Sequence, residues 1–229
     1  MTSRFVSSLS LGVLMGLLAC GCGAGKLDEP SAPSCELPPR EMPYASEVVA
    51  FTPGSNAGFG ETELPGIVLG PPGGEGSGNG SLSVLSLGVG GEIILAFHEQ
   101  VIVDGDGPDF VVFENPFLIG GDPETPFAEF AEVAISLDGE RWETFPCESR
   151  TEYPWPGCAG WSVVEEYDVC TEQLVEGSTG GDLFDLSELG VTRARFVRIR
   201  DLSETGGAPT AGFDLDAVGA FHLEADLAD

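Results

Sequence analysis

Positive charge is scarce in this 229-residue chain: nine Lys or Arg and two His stand against 38 Asp and Glu, a formal net charge of −29. A field of that sign repels nucleic acid and anionic lipid surfaces and favours cations and neutral partners. Its other use is solubility alone. Long helical periods are also absent, which excludes a helical bundle. No P-loop, Gly-x-Ser-x-Gly elbow or zinc signature occurs. His98 and His222 lie beside no Ser or Cys nucleophile motif. The enzymatic reading left is glycoside hydrolysis by paired carboxylates, one of them held protonated. Nothing in the sequence singles out such a pair among 38 acids.

What the chain does have is 33 Gly and 17 Pro, punctuating short runs rich in Val, Ile and Phe. That pattern predicts an all-β sandwich or barrel. Strands are expected at 47–51, 82–87, 92–97, 101–103, 110–113, 132–137, 191–200 and 212–221. Period-two alternation puts Ile93, Leu95 and Phe97 on one face, and turns Val133, Ile135 and Leu137 inward. Asp138-Gly139 signals a two-residue hairpin. Between the runs 101–103 and 110–113, Asp104, Asp106 and Asp109 alternate with glycines. This reads either as the polar tip of a hairpin or as a calcium loop crowded with hard oxygen ligands. It does not follow the EF-hand template: the glycine position holds Asp109 and the final acid position Asn115. A turn or two of helix is expected around Ser187-Glu188-Leu189, with Asp182 or Asp185 as its cap. Arg193, Arg195, Arg198 and Arg200 share one strand, where pairing with neighbouring carboxylates outranks a basic patch for an anionic ligand.

The N-terminus carries Arg4, an apolar stretch at 5–18 that is short for a membrane span, and then Leu17-Leu18-Ala19-Cys20. This resembles the lipobox of bacterial lipoproteins. The resemblance implies that residues 1–19 are a removed signal peptide and that Cys20 is lipidated, anchoring the protein to a membrane. Gly21 in place of aspartate points to the outer membrane or cell surface. Residues 20–44 read as a Pro-rich tether, 45–224 as the folded domain and 225–229 as a tail. Export permits disulfides. Of the cysteines after Cys20, Cys22 is the expected leftover. Cys147–Cys158 would close a loop bearing Tyr153 and Trp155, and Cys35–Cys170 would tie the start of the domain to its body; sequence alone does not fix the connectivity.

The segment Val133-Ala134-Ile135-Ser136-Leu137-Asp138-Gly139-Glu140-Arg141-Trp142 resembles the strand-turn-strand of discoidin (F5/8 type C) domains. Ala194-Arg195-Phe196-Val197-Arg198-Ile199 is similar to their late strand, and 212–221 stands where their closing strand would be. The resemblance covers roughly residues 131–223 and implies a galactose-binding-like jelly roll, two antiparallel sheets packed face to face. A longer set is similar to a group of bacterial cell-surface proteins and implies a surface role. It comprises Ser86-Leu87-Gly88, the stretch 104–115, Gly181-Asp182-Leu183-Phe184-Asp185-Leu186 and Gly212-Phe213-Asp214-Leu215-Asp216-Ala217-Val218. The jelly-roll superfamily often holds a structural calcium. Asp104, Asp106, Asp109, Asp182, Asp185, Asp214 and Asp216 are the expected Ca2+ ligands, three groups converging on one ion. Helix capping, solvent exposure and arginine pairing are the plainer uses of the same acids. Tyr153, Trp155 and Trp161 either stack on a glycan or cover the sandwich edge as a satellite core. The functional expectation is a non-catalytic, calcium-stabilised binding module for glycan or surface protein at the bacterial envelope. Its alternatives are a carboxylate hydrolase and a purely structural lipoprotein.

Overall fold

The computed structural model describes residues 42–73, 81–97, 99–122, 125–151, 153–164, 174–177 and 180–226. The expectations for the signal peptide, Cys20, Cys22, the Cys35–Cys170 bridge and His98 fall outside these. The described residues hold short antiparallel strands. In chain order they are β1 (Glu47–Thr52), β2 (Leu85–Ser86), β3 (Glu92–Ala96), β4 (Gln100–Val103), β5 (Phe110–Phe113), β6 (Phe117–Leu118), β7 (Pro126–Phe127) and β8 (Ala131–Ser136). There follow β9 (Glu143–Thr144), β10 (Cys158–Ala159), β11 (Asp182–Phe184), β12 (Arg193–Ala194), β13 (Phe196–Asp201), β14 (Asp214–Leu215), β15 (Ala217–Ala220) and β16 (Leu223–Ala225). The only helical pieces among the described residues are 3-10 turns, so the all-β sandwich expectation is met.

One sheet runs β1-β3-β13-β8-β10, with β9 also paired to β8. Its register sets side chains in cross-strand rows: Ile93, Ile199 and Val133 in one, Leu95, Val197 and Ile135 in the next. All six are buried in the main core, as alternation requires. Leu137, expected inward, is 47% exposed because the strand has already ended at Ser136. The turn that follows is wider than two residues, since Ile135 pairs with Glu143. Asp138 explains the width: its carboxylate accepts the Glu140 and Arg141 N–H groups and the Arg141 Nε–H, which builds a side-chain-capped loop. Those donors hold its pKa well below the usual carboxylate range.

Of the four arginines expected on one strand, Arg198 and Arg200 take outward positions of β13, Arg195 immediately precedes it and Arg193 lies in β12. Arg193, Arg195, Arg198 and Arg200 approach Glu224, Asp226, Glu92 and Glu132 at 3.8, 2.6, 3.7 and 2.9 Å. All four are spent on carboxylates. Arg198 also lies over the Trp142 ring, 4.4 Å from its centroid.

In the opposing layer β11-β5-β15 and β12-β4-β16 form two three-stranded sheets. Reading β15 into β16, the partners descend from Phe113 to Phe110 and then from Ile102 to Gln100. On the other side β11 and β12 descend the same way. β4 and β5 are therefore two halves of one line of strand, and the Asp-Gly stretch is an excursion between them rather than a hairpin tip. The run Phe110–Phe113 is buried throughout, because both of its faces are covered. Phe110 and Val112 enter the main core, while Val111 and Phe113 pack with Tyr44, Val164, Leu174 and Ala217. In the main core Phe110 stacks on Phe184 at 5.0 Å, and Phe145 meets both rings edge-on at 5.8 and 4.9 Å. Each such pair adds about 1 kcal/mol beyond area burial.

Asp109 laces the layer together where it is interrupted. Its Oδ1 accepts the Gly105 N–H at 2.8 Å and faces His222 Nδ1 at 2.8 Å, and its Oδ2 accepts the Leu186 N–H at 2.7 Å. Its backbone N–H donates to Phe184 O, and its carbonyl accepts from Phe221 N–H, so one residue joins three strand lines. Residue 105 must be glycine, since a Cβ there would lie 2.4 Å from the His222 ring. Replacing Asp109 by Ala strands the buried Leu186 N–H, the Gly105 N–H and an imidazole. We expect a loss of about 3–5 kcal/mol, read as a lowered urea midpoint with an unchanged m-value.

Candidate functional site

The seven aspartates expected to share one calcium separate into different environments. Asp104, Asp109 and Asp185 each bring a carboxylate oxygen to within 4.8 Å of the others. Their oxygens already have work: Asp109 takes two N–H donors and faces His222, and Asp185 caps the 3-10 turn Leu186–Leu189 by accepting the Ser187 N–H at 2.8 Å. Asp106 is exposed on the excursion. Asp182 is buried, its Oδ2 accepting the Gly160 and Trp161 N–H groups at 2.6 and 3.2 Å and its Oδ1 the Ser162 N–H at 3.1 Å. Burial outweighs those three donors and pushes its pKa up to about 8. Asp216 accepts the Gly73 N–H on both oxygens at 2.8 and 3.0 Å, and burial pushes it up to about 7.

Asp214 belongs to another group, with two residues that the sequence reading did not single out. Glu114, Glu129 and Asp214 each place a carboxylate oxygen within 4.8 Å of the others. Glu114 follows β5, Glu129 precedes β8 and Asp214 opens β14, so three segments meet there. Asp214 accepts from Ser86 Oγ–H across the β14–β2 pair. Glu114 accepts the Asp214 backbone N–H, yet its Oε2 is buried with no hydrogen-bond partner. Burial and the charges of Asp214, Glu129 and Asp182 drive the Glu114 pKa well above the usual range. Burial first, then Asp214 and Asp201, push Glu129 up to about 7. Burial raises Asp214 too.

No base answers this cluster among the described residues. Their six arginines are engaged elsewhere: Arg141 with Asp138, Arg150 with Glu204, and the other four with the strand carboxylates above. The donor set is all oxygen, which suits a hard divalent ion such as calcium and does not suit zinc. Of the two acidic groups, this one has an oxygen to spare. A sequence signal for it existed only in part: Phe113-Glu114-Asn115 puts an acid directly after a fully apolar run, where burial was foreseeable.

The aromatic residues lie beside this cluster. Cys147 and Cys158 are bonded, S–S 2.08 Å, as expected from the sequence. In the closed loop Trp155 meets Tyr153 edge-on at 5.5 Å, and from outside it Phe130 meets Trp155 at 5.0 Å while Trp161 meets Tyr153 at 5.6 Å and Trp155 at 6.2 Å. The indole N–H of Trp155 donates to Thr151 O at 2.9 Å, and that of Trp161 to Cys158 O at 3.1 Å. Trp155 and Trp161 are half-buried and Tyr153 is exposed. Phe130 follows Glu129, and a Cβ at Gly160 would sit 2.0 Å from the Glu129 carbonyl oxygen. Acid cluster and aromatic loop thus share a wall.

No family model and no curated protein matches the sequence. Among solved structures the chain is similar to the C-terminal domain of a chitobiase from Bacteroides fragilis, at 14% identity and TM-score 0.34, covering 76% of this chain and 91% of that one. It is also similar to a glycoside hydrolase at 12% identity and TM-score 0.34, covering 77% of this chain and 31% of the hydrolase.

The raised carboxyl groups fix the sign of the pH dependence. The folded chain keeps protons on Glu129, Asp216 and Asp182 up to about 7, 7 and 8, whereas the unfolded chain releases them near the ordinary carboxyl values of 4.5, 3.8 and 3.8. Their contribution is complete below the unfolded values and lost as pH climbs through the folded ones. In chelator, the urea midpoint should therefore fall between pH 5 and pH 8. Asp216→Asn should flatten that slope.

Proposed function

We propose that the protein is a non-catalytic glycan-binding module of the bacterial envelope, contacting its ligand through Tyr153 and Trp155. The observation that supports this most is the aromatic cluster on the Cys147–Cys158 loop. Both indole N–H groups are satisfied inside the loop, so the outward surface on offer is ring face and edge. Apolar ring surface stacks on the C–H faces of a sugar. The loop is held at Cys147–Cys158 by the disulfide and at Gly160–Ser162 by three N–H bonds to Asp182, so little ordering remains to be done on binding.

A protein ligand is the second reading, favoured by Phe117 and Phe127. These rings stack at 4.9 Å and are 41% and 45% exposed, beside Ile119 at 54%. A hydrolase working through Glu114 and Glu129 is disfavoured by access, because Glu114 is 2% exposed and a catalytic acid must reach its substrate.

A glycan array probed with the purified mature protein tests the reading, and a silent array overturns it. Against a glycan that binds, Tyr153→Ala should weaken affinity about tenfold with the melting temperature unchanged. Trp155→Ala should abolish binding and also cost about 1.5–3 kcal/mol of stability through its lost ring contacts.

The same reading places the module on a lipid anchor at Cys20 at the outer membrane or cell surface, supported by the Leu17-Leu18-Ala19-Cys20 motif. Mass spectrometry of the mature N-terminus should find an acylated Cys20. Cys20→Ser should move the protein from the detergent phase to the aqueous phase.

A further inference from the structure

We propose that Glu114, Glu129 and Asp214 hold a divalent cation, calcium by the chemistry of the donors, and that the ion clamps the feet of the β6–β7 ribbon. Two independent observations meet at this place. Three carboxylate oxygens lie within 4.8 Å of one another. One member, Glu114, is buried and has an oxygen with no hydrogen-bond partner. An acceptor taken out of water and given no donor costs on the order of 1–3 kcal/mol, more for a charged group, unless something on the far side supplies positive charge. Every basic side chain among the described residues is committed to another acid, so that charge does not come from the chain there.

The size of the gap favours an ion over a hydrogen-bonded ligand. Oxygens bound to calcium lie 2.3–2.6 Å from it, so donors facing each other across the ion are up to about 5 Å apart. The span of this group falls within that limit. Of the six oxygens on the three carboxylates, one on Asp214 already accepts from Ser86 and one on Glu114 from the Asp214 N–H, so backbone carbonyls and water would complete the six to eight that calcium takes. The Asp104–Asp109–Asp185 group has similar spacing but lacks the second feature, since Asp109 and Asp185 spend oxygens on backbone N–H donors.

The consequence for the fold lies in where the ligands sit. Glu114 and Glu129 stand at the two ends of the excursion that contains β6 and β7, with Phe117 paired to Phe127. Asp214 belongs to a different strand pair, β14 with β2. Without a cation, ionising these acids would bring three like charges together at the ribbon's feet and push them apart. With one, they become a single fixed point joining the ribbon to the sandwich.

The test uses the mature protein stripped with chelator and titrated with calcium, magnesium and manganese by calorimetry and thermal unfolding; it needs no glycan, so its result is separable from the binding reading above. One site per chain is expected. The melting temperature should rise by roughly 5 °C or more at a hundredfold excess of calcium over its dissociation constant. Amide hydrogen exchange across 115–128 should slow on calcium addition. Glu114→Gln, which removes the charge and keeps the shape, and the half-exposed Glu129→Gln should each weaken calcium at least a hundredfold. Asp104→Asn, on the exposed excursion, should leave it unchanged. No response to any of the three metals overturns the proposal. So does a calcium response that survives both glutamate substitutions, or one abolished by Asp104→Asn.

Discussion

The constraint on which this sandwich rests is that it buries acids with few bases to answer them. The answer is backbone N–H, and glycine N–H in particular. Asp109 takes the N–H of Gly105, Asp182 that of Gly160, Asp201 that of Gly90 and Asp216 that of Gly73. Three of the four carboxylates then add further ties: Leu186 for Asp109, Trp161 and Ser162 for Asp182, Ser203 and Phe213 for Asp201. A carboxylate oxygen approaches the chain closely at such a place, and at Gly105 and Gly160 a Cβ would collide with what lies behind. The abundance of glycine and the abundance of acid are thus two halves of one interaction. It fixes loops that hydrophobic burial alone leaves unspecified. The arginines, by contrast, pair with exposed or half-exposed acids, where an ion pair contributes a few tenths of a kcal/mol to about 1 kcal/mol.

How much of this could be read from the sequence depended on whether the signal was local. The inward rows of β3, β8 and β13 follow from alternation, and the Cys147–Cys158 bridge from a short cysteine spacing. The fate of the arginines followed from the acid excess. The stretch 101–113 misled because two apolar runs around an Asp-Gly loop look the same whether the chain reverses or resumes its line. Only the registers with β11, β12, β15 and β16 distinguish the two. The aspartates misled for a related reason. Asp214 and Asp216 are two apart on one stretch, yet one faces Ser86 and the glutamates and the other Gly73. Glu114 and Glu129 were illegible as partners because the chain leaves the sandwich between them and returns.

Glu114 stands apart from the rule that governs the buried aspartates. Their oxygens are spoken for by backbone donors, whereas its Oε2 is not. The difference has a structural cause. Asp182 faces the successive N–H groups of Gly160, Trp161 and Ser162, and Asp109 sits between the N–H groups of Gly105 and Leu186. Glu114 faces the ends of three separate segments, none of which turns a donor toward Oε2. A longer side chain reaching into a junction of strand ends meets other carboxylates instead, and the charges that raise its pKa are all acids.

Asp182 connects that junction to the aromatic loop. Its oxygens hold the N–H groups of Gly160, Trp161 and Ser162, and its charge is one of those acting on Glu114. Neutralising the junction therefore favours the ionised form of Asp182, which accepts those N–H bonds more strongly than the protonated form does. Phe130 adds a mechanical route, since it follows Glu129 in the chain and packs on Trp155 at 5.0 Å. The charge state of the three junction acids and the posture of the rings are thus set by the same few residues. The acid junction is part of the support on which any ligand at Tyr153 and Trp155 would rest.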